Sequence, residues 1–68
     1  MIYKNKFIII VLTKDGKRYE EENIGNCELM NLIKNYSARK SINIKLSNGR
    51  IKVIEYELIK CICISNKL

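Results

Sequence analysis

Ser41-Ile42-Asn43-Ile44-Lys45-Leu46-Ser47-Asn48-Gly49-Arg50-Ile51-Lys52-Val53-Ile54 decides the fold class of this chain. Ile42, Ile44 and Leu46 alternate with Asn43, Lys45 and Ser47, and a period of two marks a strand with one covered face. Asn48-Gly49 then separates two strand-like runs. This is a strong hairpin signal, because a two-residue type I′ turn needs positive φ at both central positions. The turn predicts Ser47 opposite Arg50, Leu46 opposite Ile51, Lys45 opposite Lys52 and Ile44 opposite Val53. One side of the predicted hairpin is apolar, and the other carries Asn43, Lys45, Ser47, Arg50 and Lys52.

The flanking sequence extends the same pattern. Phe7-Ile8-Ile9-Ile10-Val11-Leu12 is a continuous apolar run rich in β-branched residues, which predicts a strand buried on both faces. Asp15-Gly16 supplies a second hairpin signal, with Lys14 opposite Lys17, Thr13 opposite Arg18 and Leu12 opposite Tyr19. The return strand, Lys17 to Glu22, is mostly charged and reads as a short edge strand. From Cys27 to Tyr36 the apolar residues fall at 29, 30, 32, 33 and 36, a helical spacing. Asn26 is the expected N-cap, Glu28 sits where the helix dipole favours an anion, and the stripe Leu29-Met30-Ile33-Tyr36 is expected to pack on the sheet. After the second hairpin, Glu55 to Leu58 fits one 3₁₀ turn. Ile59 to Ile64 reads as a last strand covered on both faces, and Ser65 to Leu68 as a frayed tail. The expected fold is therefore α+β and mostly β: a five-strand small barrel or curled antiparallel sheet, in the order β-β-α-β-β-3₁₀-β, with one helix packed on it.

The stretch Ser41 to Ile64, with its tight hairpin, Glu55-Tyr56-Glu57-Leu58 turn and closing Ile59-Lys60-Cys61-Ile62-Cys63-Ile64 strand, resembles the last three strands of SH3-like and Sm-like small barrels. It is also similar to the end of YolD-like proteins of Firmicutes and their phages. The resemblance covers about a third of the chain and implies a small-barrel fold. The chain departs from the Sm pattern in placing its helix between the second and third strands, and no residues match the Sm uridine-binding motif.

Sixty-eight residues suffice for one domain, 1–68, and one core. The chain is 47% hydrophobic and 29% charged, which is a globular composition. It has no His, Trp or Pro. Without His there is no Ser-His or Cys-His nucleophile pair, no imidazole base and no His metal ligand, so the expectation is a protein that is not an enzyme. Cys27, Cys61 and Cys63 are an odd set for a disulfide framework. They are expected to be buried free thiols in a reducing cytoplasm, with no metal and no cofactor. The apolar run at Phe7 to Leu12 is too short for a signal-peptide core or a membrane span, so no membrane association is expected. Thirteen Ile, ten Lys and eight Asn, all with AT-rich codons, point to a low-GC bacterium, a phage or another mobile element.

The net charge of +6 favours a polyanion or an acidic protein surface as partner. Lys45, Arg50 and Lys52 on the second hairpin, with Lys14, Lys17 and Arg18 at the first, are the candidate contacts to nucleic acid or to an acidic partner. Repelling lysines held opposite one another would be neutralised on binding. Tyr19 and Tyr56 are candidate stacking residues for bases. Glu20, Glu21 and Glu22 give the edge an acidic stripe that, with the basic hairpin, suits self-assembly into a homo-oligomer. The leading expectation is a small protein-interaction module, an inhibitor or accessory protein. A small nucleic-acid-binding protein is the alternative.

Overall fold

The computed structural model describes residues 6–67, Lys67 through its backbone alone. Five strands, one α-helix and one 3₁₀ turn follow the expected order. They are β1 (Lys6–Thr13), β2 (Arg18–Ile24), α1 (Asn26–Ser37), β3 (Ile42–Lys45), β4 (Ile51–Ile54), the 3₁₀ turn Tyr56–Leu58 and β5 (Ile59–Lys67). The strands do not close into a barrel. They form two antiparallel sheets, one ordered β2-β1-β5 and the other the β3–β4 hairpin alone. Where a barrel would need β2 to pair with β3, no strand pairing forms among the described residues, and a side-chain hydrogen bond spans the gap: the Lys45 amide donates to Glu21 Oε1 at 2.8 Å.

Both hairpins differ from the expected register by one residue. Leu12 lies opposite Arg18 and Val11 opposite Tyr19, while Lys45 lies opposite Ile51 and Ile44 opposite Lys52. The loops hold three residues, Lys14-Asp15-Gly16 and Ser47-Asn48-Gly49. They are closed by Thr13 N to Lys17 O at 2.9 Å and Leu46 N to Arg50 O at 2.8 Å. Only the glycines have positive φ, +88° at Gly16 and +86° at Gly49, whereas a type I′ turn would also need it at Asp15 and Asn48. The acidic and amide side chains favour this longer loop. The Thr13 hydroxyl donates to the Asp15 carboxylate, and the Arg50 amide donates to Asn48 Oδ1 at 2.9 Å.

The core lies between the inner face of the three-stranded sheet and a second layer made of α1 and the β3–β4 hairpin. Its buried members are Ile9, Val11, Ile24, Leu29, Leu32, Ile42, Ile44, Ile54 and Ile59. Burial of each such side chain is worth roughly 1.5–3 kcal/mol. Two bulges bring residues of the wrong parity inward. Glu22 and Asn23 together oppose Ile8, with Asn23 at φ +62°, and this turns Ile24 into the core. Lys60 is the extra residue between the Leu12–Cys61 and Thr13–Ile59 pairs, which turns Ile59 inward. The helix buries Leu29 and Leu32 and half-buries Tyr36. Met30 (70% exposed) and Ile33 leave the expected stripe and face solvent. Gly25, not Asn26, is the N-cap, and no side chain caps the first turn. Of the segment expected to fray, residues 65–67 are instead the end of β5, paired to Ile8, Phe7 and Lys6, and Leu68 lies outside the described residues.

At its C-terminus α1 ends in a Schellman motif. The Lys40 amide donates to Asn35 O at 2.8 Å and the Arg39 amide to Tyr36 O at 3.0 Å, with Arg39 at φ +60°, where glycine is usual. Arg39→Gly is therefore expected to raise unfolding stability by about 1 kcal/mol, read as a higher urea midpoint at unchanged slope. Gly49→Ala, whose Cβ meets no atom but whose φ is strained, is expected to lower stability by about the same amount.

Candidate functional site

β1 is apolar on both faces, but among the described residues the core lies against only one of them. Ile9 and Val11 point inward and are 0% exposed. Ile8, Ile10 and Leu12 alternate to the outer face, where they are half-buried between the neighbouring strands, and none of them belongs to the buried core. The β5 register places Leu12 beside Cys61, Ile10 beside Cys63 and Ile8 beside Ser65 on this outer face. On the β2 side Leu12 meets Arg18 and Ile10 meets Glu20, and these two side chains form an ion pair of 2.9 Å at the rim. The expectation that β1 and β5 are covered on both faces therefore holds only in part: the outer face is half-buried at Ile8, Ile10, Leu12 and Cys61 and exposed at Cys63 and Ser65. The expectation of buried thiols fails: Cys63 and Cys27 are exposed and Cys61 is half-buried. Cys61 and Cys63 do lie on one side of β5, as their spacing requires.

The acidic stripe lies elsewhere. A groove of about 770 Å³ runs between β2 and the second hairpin, lined by Glu20, Glu21, Glu22 and Glu28 together with Arg18 and Lys45. Glutamates outnumber cations there, so the groove does not attract a polyanion. A smaller cleft of about 340 Å³ brings Lys17 and Lys52 together beside Tyr19, Val53 and Leu58, with Asp15 and Glu55 also on its wall. Asp15 is held below the ordinary carboxylate range, first by the Thr13 hydroxyl bond and then by Lys17.

The six basic residues named from the sequence are thus dispersed. Lys14 is at the first hairpin tip, tethered through its amide to Leu58 O at 2.8 Å. Arg18 is engaged with Glu20 on the outer sheet rim. Lys45 borders the glutamate groove, and Arg50 sits at the second hairpin tip. Lys17 and Lys52 share the smaller cleft, while Arg18 and Lys45 border the same glutamate-lined groove. The Lys45–Lys52 and Lys14–Lys17 facing pairs do not form, because the one-residue slip sends Lys45 and Lys52 to opposite sides of their hairpin. The two tyrosines already have neighbours. Lys52 Nζ lies 5.7 Å from the Tyr19 ring centroid, and Tyr56 packs on Tyr36 at 5.3 Å with the rings tilted by 46°.

Among the described residues no group of three or more Cys, Asp or Glu is placed to hold a metal ion, and no helix is long and apolar enough to cross a membrane. No family model, curated protein or solved structure matches the chain.

The outer apolar face of β1 is a candidate surface that sequence reasoning missed, and its signal was present. A continuous apolar run has two apolar faces, whereas one helix and one hairpin can cover only one of them. The two faces of β1 should differ sharply in energetic weight. Ile9→Ala is expected to cost about 2–5 kcal/mol in chemical denaturation. Ile10→Ala, one residue away but on the uncovered face, should cost less than half as much.

Proposed function

We propose that this chain is a non-catalytic protein-interaction module, an inhibitor or accessory subunit, that docks a partner through the outer face of its three-stranded sheet. The observation that carries this reading is the row Ile8, Ile10 and Leu12, flanked by Cys61 and Cys63, which lies outside the core. Apolar surface left contiguous and rimmed by charge is characteristic of interaction sites. Three strands span about 10 Å across, roughly the diameter of one α-helix, so the fitting occupant is the apolar stripe of a partner's amphipathic helix. The rim ion pair Arg18–Glu20 offers both signs of charge to the polar flank of that helix.

Nucleic-acid binding ranks second. It would rest on Lys17 and Lys52 beside Tyr19. Two cations with Asp15 and Glu55 on the same wall make a weak phosphate site, and Lys14, Arg18, Lys45 and Arg50 lie outside this cleft.

The test is affinity capture with three baits after nuclease treatment: the wild-type chain, Ile10→Lys, and the double variant Lys17→Ala/Lys52→Ala. A specific protein retained by wild type and by the double variant, but lost with Ile10→Lys at unchanged circular dichroism, is the expected result. Loss with the double variant alone, together with binding of short labelled DNA or RNA that weakens steeply between about 50 and 200 mM salt, would replace this reading with the nucleic-acid one.

A further inference from the structure

The two edges of the three-stranded sheet are built differently. The β2 edge is guarded. It carries Arg18, Glu20, Glu21 and Glu22, is bent by the bulge at Asn23, and faces β3 across the Glu21–Lys45 bond. These are the usual devices that stop one sheet from pairing with another. The β5 edge has almost none of them. β5 is nine residues long, the longest strand of the fold, and among the described residues it pairs with β1 alone. From Cys61 to Asn66 it holds six consecutive uncharged residues, and its one bulge lies at the far end, by Lys60. Ile64 is 43% exposed, and Cys63, Ser65 and Asn66 are exposed. A long, largely uncharged edge that among the described residues meets no second strand is a template for another strand.

We infer that this edge pairs with β5 of a second copy of the chain, antiparallel about a two-fold axis through Cys63, to make a continuous six-stranded sheet. The choice of a second copy rests on self-complementarity. Cys63 is the midpoint of Ile59–Lys67, so a two-fold placed there is the register that overlaps the strand over its full length, with the bulge at Lys60 falling at either end. It sets Cys63 against the partner's Cys63, Ile62 against the partner's Ile64, Cys61 against the partner's Ser65 and Lys60 against the partner's Asn66. No two charged side chains face each other. Sliding by two residues in either direction shortens the ladder and breaks the match: one slide sets Lys60 against the partner's Ile64, the other sets Cys61 against the partner's Lys67 and Ile62 against the partner's Asn66.

The axis is perpendicular to the sheet, because a residue and its opposite number then share a face. The inner faces stay on one side, where Ile62 and Ile64 shelter each other. The outer apolar faces lie side by side on the other, doubling the surface of Ile8, Ile10, Leu12, Cys61 and Cys63. This pairing involves the strand edge and does not rest on the helix-docking reading. It holds or fails independently of any partner protein.

The two cysteines of β5 provide the test. Opposite residues in an antiparallel pair have Cα atoms about 4.5–5.5 Å apart, within disulfide range, whereas diagonal neighbours stand too far apart. Cys27→Ser/Cys61→Ser leaves Cys63 as the only thiol, and Cys27→Ser/Cys63→Ser leaves Cys61. On mild oxidation with diamide, the first should convert to a covalent dimer at least about tenfold faster than the second. Sedimentation velocity of the reduced wild-type chain should show a concentration-dependent dimer. Cys63→Lys, which sets two ammonium groups opposite each other on an exposed site, should weaken that dimer by about tenfold or more with unchanged circular dichroism. A wild-type chain that stays monomeric at high concentration overturns the inference. So does equal cross-linking through Cys61 and Cys63, or a dimer that tolerates Cys63→Lys.

Discussion

A glycine at positive φ in the third place of each hairpin loop fixes which side chains of this protein meet. With Gly16 and Gly49 left-handed and Asp15 and Asn48 not, each loop holds three residues, and the strands beyond pair in one register. A strand alternates its faces residue by residue, so a register shifted by one would exchange the inner and outer sets. In the second hairpin this places Ile42, Ile44 and Ile54 in the core and turns Ile51 and Val53, 58% and 55% exposed, outward. In the first it sets Tyr19 beside Val11 and Arg18 beside Leu12, which puts the Arg18–Glu20 pair on the outer rim.

The same constraint organises the electrostatics. A chain of net charge +6 could present one basic surface, but the observed register splits its cations among two hairpin tips, a sheet rim, a glutamate-lined groove and a shared cleft. The glutamates gather where the barrel fails to close, and Glu21 there holds the Lys45 amide that a paired strand would otherwise hold. What remains undivided is apolar: one row of branched side chains on β1 and the adjoining edge of β5. Both lie on the side of the molecule that the helix and second hairpin leave open. A partner's helix across the face and a second copy along the edge would occupy adjoining but separate surfaces.

Much of the fold was legible in the residues, and the misreadings have particular causes. The alternation at Ile42-Asn43-Ile44-Lys45 and the helical spacing from Leu29 to Tyr36 identified their elements, because period is a local property. The loop length was misread because an Asx-Gly dipeptide serves both the two-residue and the three-residue hairpin. The choice depends on side-chain bonds such as Thr13 to Asp15. That error carried into the candidate site, since the facing lysine pair existed only in the other register. The helix stripe was misassigned at Met30 and Ile33 because spacing defines an apolar arc wider than the sheet can cover.

The sequence by itself determined the order and type of the elements, the single core, the charge balance and the absence of histidine chemistry. These follow from local periodicity, turn residues and composition. Only the tertiary structure decided which face of β1 meets the core, that the strands stop short of a closed barrel, and that among the described residues β5 pairs on one side alone. A strand that is apolar on both faces carries no mark of which side its neighbours will fill. That depends on how much covering material the rest of the chain supplies and where two three-residue loops and two bulges direct it.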